Sequence, residues 1–326
     1  MSGFHYQDAD GRRVDAATVK RIEALRVPPA WTEVFIHPSS RAHLQAVGRD
    51  KAGRWQYRYH EGFRARQDAL KFERLVAFGH ALPSLRRTIT RHLRLPGMQR
   101  ERVMAGILRI LSTSFLRPGS QVYAAENGSY GIATLRPQHV SVRGDVVRFS
   151  FPGKSGKRQE RALRDRSVAR LVRELLAAPG REVFKFRDAE GRLIDVRRRD
   201  INAYIREVMG QRFSAKDFRT WAGTLLAACA LARSVAERPE AVGAGEQKRQ
   251  VRAAVKEASI ILGNTPAVCR ASYIGPAVLE ARAEGQVIRC YFRDLEELVA
   301  QRAPVCIPPN ARCSSCSKRG RSGSGR

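Results

Sequence analysis

Acidic residues are scarce in this chain: 31 Asp plus Glu stand against 60 Lys plus Arg, a formal net charge of +29 over 326 residues. An excess of that size costs self-repulsion in the folded state and points to a polyanionic partner, nucleic acid above all. Charge alone does not make an enzyme, because a ribosomal or histone-like binding protein would carry the same surplus. Long apolar runs are missing as well. The longest, Trp221 to Ala232, falls well short of the roughly 20 residues that a membrane span needs. The segment Met1 to Asp10 is polar and carries no hydrophobic signal, so the expectation is a cytoplasmic protein without a membrane segment.

Metal-binding side chains are thin on the ground too. Of six cysteines, Cys229, Cys269 and Cys290 stand alone, and the expectation is small packed thiols in a reducing compartment. Cys306, Cys313 and Cys316 offer three thiols, one short of a closed structural zinc site, with no histidine nearby. No closely spaced carboxylate set resembles a two-metal nuclease centre. The string Gly153-Lys154-Ser155 invites a phosphate-loop reading, but Arg148 stands where the earlier glycine is needed. The expectation is therefore no metal and no cofactor.

What is present begins with β structure. Residues 27 to 62 hold β-prone runs at Val34 to Ile36, Leu44 to Val47 and Trp55 to Tyr59, separated by turn residues. From Phe63 the apolar spacing becomes helical, and Leu82-Pro83-Ser84 predicts a break, with Ser84 capping the next basic helix. That break sets the expected boundary between residues 1–82 and a second domain, 83–310. The second domain is expected to open with helices at Leu85 to Leu93 and Gln99 to Ser114. A β unit should follow, with strands at Gly131 to Leu135, His139 to Val142, Val146 to Phe151 and Lys157 to Leu163. Gly144-Asp145 suits a type II′ hairpin. Beyond Ser167 the chain reads as helical, interrupted at Pro179-Gly180 and Glu237 to Gly245, with Gly263 the natural cap of the helix Gln247 to Leu262. Residues 311–326 are Ser/Gly-rich with only basic charges, which predicts a disordered tail.

Four clusters in the second domain carry reactive side chains. Arg117 follows an apolar helix, and Lys154 sits at a glycine-flanked hairpin tip. Lys216 and Arg219 open a helix three residues apart, and Asn264 precedes Tyr273 by nine residues. Taken singly, each has an ordinary reading. The arginines would make structural salt bridges, Lys154 would be a solvated turn residue, Asn264 a loop residue and Tyr273 an interior aromatic.

Taken in order, the set resembles the poxvirus-like bacterial branch of type IB DNA topoisomerases. Gly53 to Tyr59 resembles the N-terminal DNA-contacting motif of that family, and Lys71 to Leu75 with Ala81 to Pro83 resembles its interdomain stretch. The resemblance spans about residues 20 to 295. It implies an α+β protein: a small β-rich N-terminal domain and a larger, mainly α catalytic domain that clamp duplex DNA. It implies a monomeric, bacterial, nucleoid-associated enzyme that relaxes positive and negative supercoils without ATP or metal. Tyr273 would attack a phosphodiester and hold the 3′ phosphate. Arg117 and Arg219 would grip the non-bridging oxygens, and Lys154 and Lys216 would protonate the departing 5′ oxygen. Asn264 stands where most relatives carry histidine; it can donate a hydrogen bond but carries no charge. Gln56, Tyr57 and Tyr59 would face the major groove, with Tyr123 a further DNA contact. The rival reading is a tyrosine recombinase or integrase, which usually has histidine where Lys216 stands and a helical N-terminal domain. Two physical points agree with the resemblance independently. Nearby arginines favour the phenolate form of a tyrosine, and a phosphotyrosine ester stores the broken bond for resealing.

Overall fold

The computed structural model describes residues 6–8, 10–239, 243–300 and 305–306. The chain divides into two compact units, residues 1–74 and 75–326. The first unit opens with helix α1 (Ala16–Ala24), whose cap Asp15 accepts the Thr18 N–H. An antiparallel sheet of order β1-β2-β3 follows, from β1 (Thr32–Ile36), β2 (Leu44–Arg49) and β3 (Trp55–Tyr59). The three β-prone runs of the sequence are these strands. Val47 pairs with Phe35 on one side and with Tyr57 on the other, and Gln45, Ala46 and Gly48 are the buried residues of the central strand. Strand period separates the faces of β3: Trp55, Tyr57 and Tyr59 are exposed, while Gln56 and Arg58 alternate with them and are half-buried.

Helix α2 (Glu61–His92) runs without interruption through Pro83. The break expected at Leu82-Pro83-Ser84 is absent, and Ser84 caps nothing. Tertiary burial outweighs the proline: Phe78, Leu82, Leu85, Ile89 and Leu93 recur at helical spacing and all enter the main core. Beyond α2 the second unit continues with α3 (Arg100–Ser114), the most deeply buried helix, and the short α4 (Gln121–Asn127). The strand expected at Gly131 to Leu135 is instead a 3-10 turn over Ile132–Thr134. An antiparallel sheet of order β4-β5-β6 follows, with β4 (Val140–Arg143), β5 (Val146–Pro152) and β6 (Arg158–Arg164). Gly144 adopts φ 53° between β4 and β5, as a hairpin turn with glycine at its first loop position requires.

After α5 (Arg166–Ala177) the structure departs from the helical expectation. A small hairpin pairs β7 (Lys185–Arg187) with β8 (Leu193–Asp195). Helices α6 (Arg198–Met209), α7 (Ala215–Glu237), α8 (Ala244–Leu262), α9 (Pro266–Tyr273) and α10 (Pro276–Ala283) follow. Strand β9 (Cys290–Tyr291), helix α11 (Leu295–Ala300) and strand β10 (Val305–Cys306) close the described chain. Cys229 and Cys269 are free buried thiols, as expected. Cys290 is not: it is disulfide-bonded, and the β9–β10 register sets Cys306 opposite it. Spacing gave no sign of this, because the strand pair brings together positions far apart in sequence. The tail 311–326, with Cys313 and Cys316, lies outside the described residues. No helix of the described residues is long and apolar enough to cross a membrane.

Candidate active site

The site is built where the C-terminal ends of α3 and α8 meet. Both helices end on a residue in the left-handed region, Phe115 at φ 55° and Gly263 at φ 63°. Such ends expose backbone carbonyls with partial negative charge, which favour cations. Two arginines fill that role. Arg219, on the second turn of α7, donates to the carbonyls of Phe115 and Leu262, the latter at 2.7 Å. Arg161, on β6, donates to the carbonyls of Ser114 at 3.3 Å and Ile261 at 2.6 Å. The two guanidinium groups thus bridge the same helix ends, one residue apart.

Arg219 is almost fully buried, at 4 % exposure, and burial pushes it below the ordinary arginine range. Its Nε is buried without a partner among the described residues. With two of five N–H donors engaged by carbonyls, it retains donors for an incoming anion. Its charge also lies over the Tyr273 ring, 5.1 Å from the centroid.

Tyr273 is the last residue of α9. The helix starts on Thr265, whose hydroxyl accepts the Val268 N–H at 3.3 Å, with Pro266 at the first position. Its far end is fixed against α7. Thr224 donates its hydroxyl to the Tyr273 carbonyl at 3.2 Å and accepts the Gly275 N–H at 2.9 Å. Gly223 permits that approach, because a Cβ there would lie 2.5 Å from the Tyr273 carbonyl oxygen. Beneath lies a small core containing Phe115, Leu226, Ala258, Leu262, Cys269 and Ile274, against which Tyr273 packs.

Burial alone would raise the Tyr273 phenol. The charges of Arg219, Arg117 and Lys216 outweigh it and hold the phenol below its ordinary value of 10.0. Arg117 stands two residues past Phe115, the cap of α3, on a segment pinned by a close backbone crossing. The Arg117 carbonyl accepts the Ile132 N–H at 2.9 Å, and a Cβ on Gly131 would lie 2.5 Å from Gly119 backbone atoms. Burial, with the neighbouring charges of Arg219 and Arg161, pushes Arg117 down to about 10, which leaves it cationic at neutral pH. Arg117 donates to the Asn264 Oδ1. The amide nitrogen of Asn264 is buried with no partner among the described residues, a free donor beside two arginines.

Arg117, Arg219, Asn264 and Tyr273 therefore come together, and the exposed Lys216 acts on the same phenol. Lys154 is exposed at the hairpin tip, on a 3-10 turn over Lys154–Gly156; its side chain makes no hydrogen bond or ion pair with the described residues. On the first unit, Tyr57 and Tyr59 are exposed and stacked at 6.2 Å. Gln56 lies on the alternate face, donating to Asp50 at 3.0 Å. Tyr123 is exposed on α4. Sequence reasoning missed Arg161, Gly223 and Thr224. The available signal for Arg161 was its phase on β6, shared with the buried Gln159 and Leu163. Among the described residues no group of three or more His, Cys, Asp or Glu side chains could hold a metal ion.

Comparison with known proteins adds to this geometry. Residues 60–284 match the family described as eukaryotic DNA topoisomerase I, catalytic core. Residues 3–50 match the bacterial DNA topoisomerase IB N-terminal domain. The DNA topoisomerase 1B of Acanthamoeba polyphaga mimivirus is 33% identical over 281 residues, covering 85% of this chain and 83% of that protein. The DNA topoisomerase 1B of Vaccinia virus (strain Copenhagen) is 20% identical over 275 residues, 79% of this chain and 80% of that protein.

Proposed function

The chain belongs to the type IB DNA topoisomerases, and from that premise we propose that Tyr273 is its nucleophile, served by Arg117, Arg219, Asn264, Lys154 and Lys216. The observation that carries this reading is the convergence of three cationic side chains on one phenol, whose acidity they raise against the effect of burial. In the forward step Tyr273 loses its proton to solvent and its oxygen bonds to phosphorus. The P–O5′ bond breaks, and the electron pair left on the 5′ oxygen takes a proton from Lys154, with Lys216 beside it. Arg117 and Arg219 stabilise the charge growing on the non-bridging oxygens, where a planar guanidinium fits well. Asn264 donates its free amide N–H to the same phosphate. Reversal reseals the strand, and because the ester keeps the broken bond no ATP is consumed.

The remaining assignments rest on the family and on charge. Residues 1–82 serve as a DNA-binding domain through Gln56, Tyr57 and Tyr59, and residues 83–310 as the catalytic domain, with Tyr123 a further DNA contact. The two clamp duplex DNA, the enzyme works as a monomer on the bacterial nucleoid, and the basic segment 311–326 adds affinity. The test is plasmid relaxation in EDTA without nucleotide. The expected outcome is loss of both positive and negative supercoils; a strict requirement for magnesium or nucleotide would contradict the reading.

A further inference from the structure

Gln159 lies on β6 beside the site, and nothing in the mechanism above uses it. It is a polar side chain at 9 % exposure, wedged between the two turns that carry Lys154 and Asn264. On one side is Gly153, which immediately precedes Lys154: a Cβ there would lie 2.6 Å from Gln159 Cγ. On the other is Gly263, which immediately precedes Asn264: a Cβ there would lie 3.0 Å from Gln159 Oε1 and 3.2 Å from Nε2. A side chain at Gly153 would collide with Gln159, and one at Gly263 would press tightly on its carboxamide. The carboxamide also donates to the carbonyls of Lys157 and Arg158, both at 3.4 Å. The Lys157 carbonyl in turn accepts the Gly153 N–H at 2.8 Å, closing the hairpin tip. One side chain thus fills the gap between the tip of the β5–β6 hairpin and the cap of α8.

We infer that Gln159 is a positioning residue, which seats the Lys154 turn against the Gly263-Asn264 turn and so fixes the proton donor relative to the phosphate grip. The inference rests on Lys154 being the general acid. The Lys154 side chain makes no hydrogen bond or ion pair with the described residues, so its place is set by the backbone of its turn, and Gln159 is what that backbone packs on. A small displacement of a catalytic group is costly in rate while leaving the fold and most DNA contacts intact.

The experiment compares two duplexes in single-turnover cleavage, one with an ordinary scissile phosphodiester and one with sulfur at the 5′-bridging position. A thiolate leaves without a proton, so it bypasses the general acid. Gln159→Met keeps the length of the side chain and removes the carboxamide. Gly153→Ala disturbs the same contact from the turn side and leaves Gln159 unaltered. Both should retain DNA affinity and cleave the ordinary duplex about tenfold to a hundredfold more slowly than wild type. On the sulfur duplex both should come within about threefold of wild type. Wild-type rates on the ordinary duplex, or equal slowing on both, would overturn the inference, since a merely structural role slows both alike. Lys154→Ala is the control. If sulfur rescues Lys154→Ala but not Gln159→Met, the positioning role fails alone. If sulfur does not rescue Lys154→Ala, the general-acid assignment fails, and the inference with it.

Discussion

Tyr273 concentrates the electrostatics of the site in one oxygen. Its folded pKa is depressed, so its charge contributes to stability above the ordinary value of 10.0 and that contribution is lost as pH falls through the folded value. At neutral pH the benefit is kinetic: a larger phenolate fraction than a free tyrosine has. An ultraviolet difference titration between wild type and Tyr273→Phe isolates this phenol. Its midpoint should lie below 10.0 and should rise in Arg219→Gln, because the nearest positive charge is gone. An unchanged midpoint in Arg219→Gln would mean that the stacked guanidinium does not activate the nucleophile. Arg117 stays protonated throughout the neutral range, being pushed only to about 10. At this scale much of the site was legible in the sequence, because Arg117, Arg219, Asn264 and Tyr273 are polar residues in an ordered series. Arg161 was not. An arginine on a strand reads as a solvated side chain until the carbonyls at two helix ends are seen to surround it.

Helix ends do the positioning. The C-terminal caps of α3 and α8 create the carbonyl pair that holds Arg219, and the Gly223–Thr224 step of α7 fixes the end of α9. Gly223→Ala places a methyl group 2.5 Å from the Tyr273 carbonyl oxygen, a clash with backbone that no rotamer relieves. The expected cost is about 1–3 kcal/mol of stability in urea denaturation, with cleavage slowed about a hundredfold by the shifted tyrosine. DNA affinity should change little. A Gly223→Ala protein that cleaves at the wild-type rate would show that the α7–α9 contact does not set the nucleophile. The sequence disclosed the helices with strong apolar periodicity and the cap at Gly263, where local chemistry decides. It misled at Pro83, where five buried apolar residues of α2 outweigh one proline. It also missed the β7–β8 hairpin, whose three-residue strands are too short to show a period.

On the scale of the whole molecule, the surplus of +29 is a statement about affinity and its sensitivity to salt. Each phosphate neutralised contributes about 0.9 to the slope of log affinity against log salt. Binding of duplex by Tyr273→Phe should therefore fall steeply with salt and differ little among sequences. Deleting residues 311–326, which carry Arg312, Lys318, Arg319, Arg321 and Arg326, should lower that slope by at most about 4.5. The single-turnover cleavage rate of bound DNA should stay almost unchanged. A collapse of that rate would place the tail in the active enzyme.

The proposed key step is that Tyr273, its phenol acidified by Arg219, Arg117 and Lys216, takes the 3′ phosphate of the broken strand. Its most direct test is a peptide map of the covalent complex trapped on a duplex in EDTA. The expected result is a single phosphotyrosyl linkage, on the peptide that carries Tyr273 and joined to the 3′ phosphate. An adduct on another residue, a 5′ linkage, or no adduct until magnesium is supplied would contradict it.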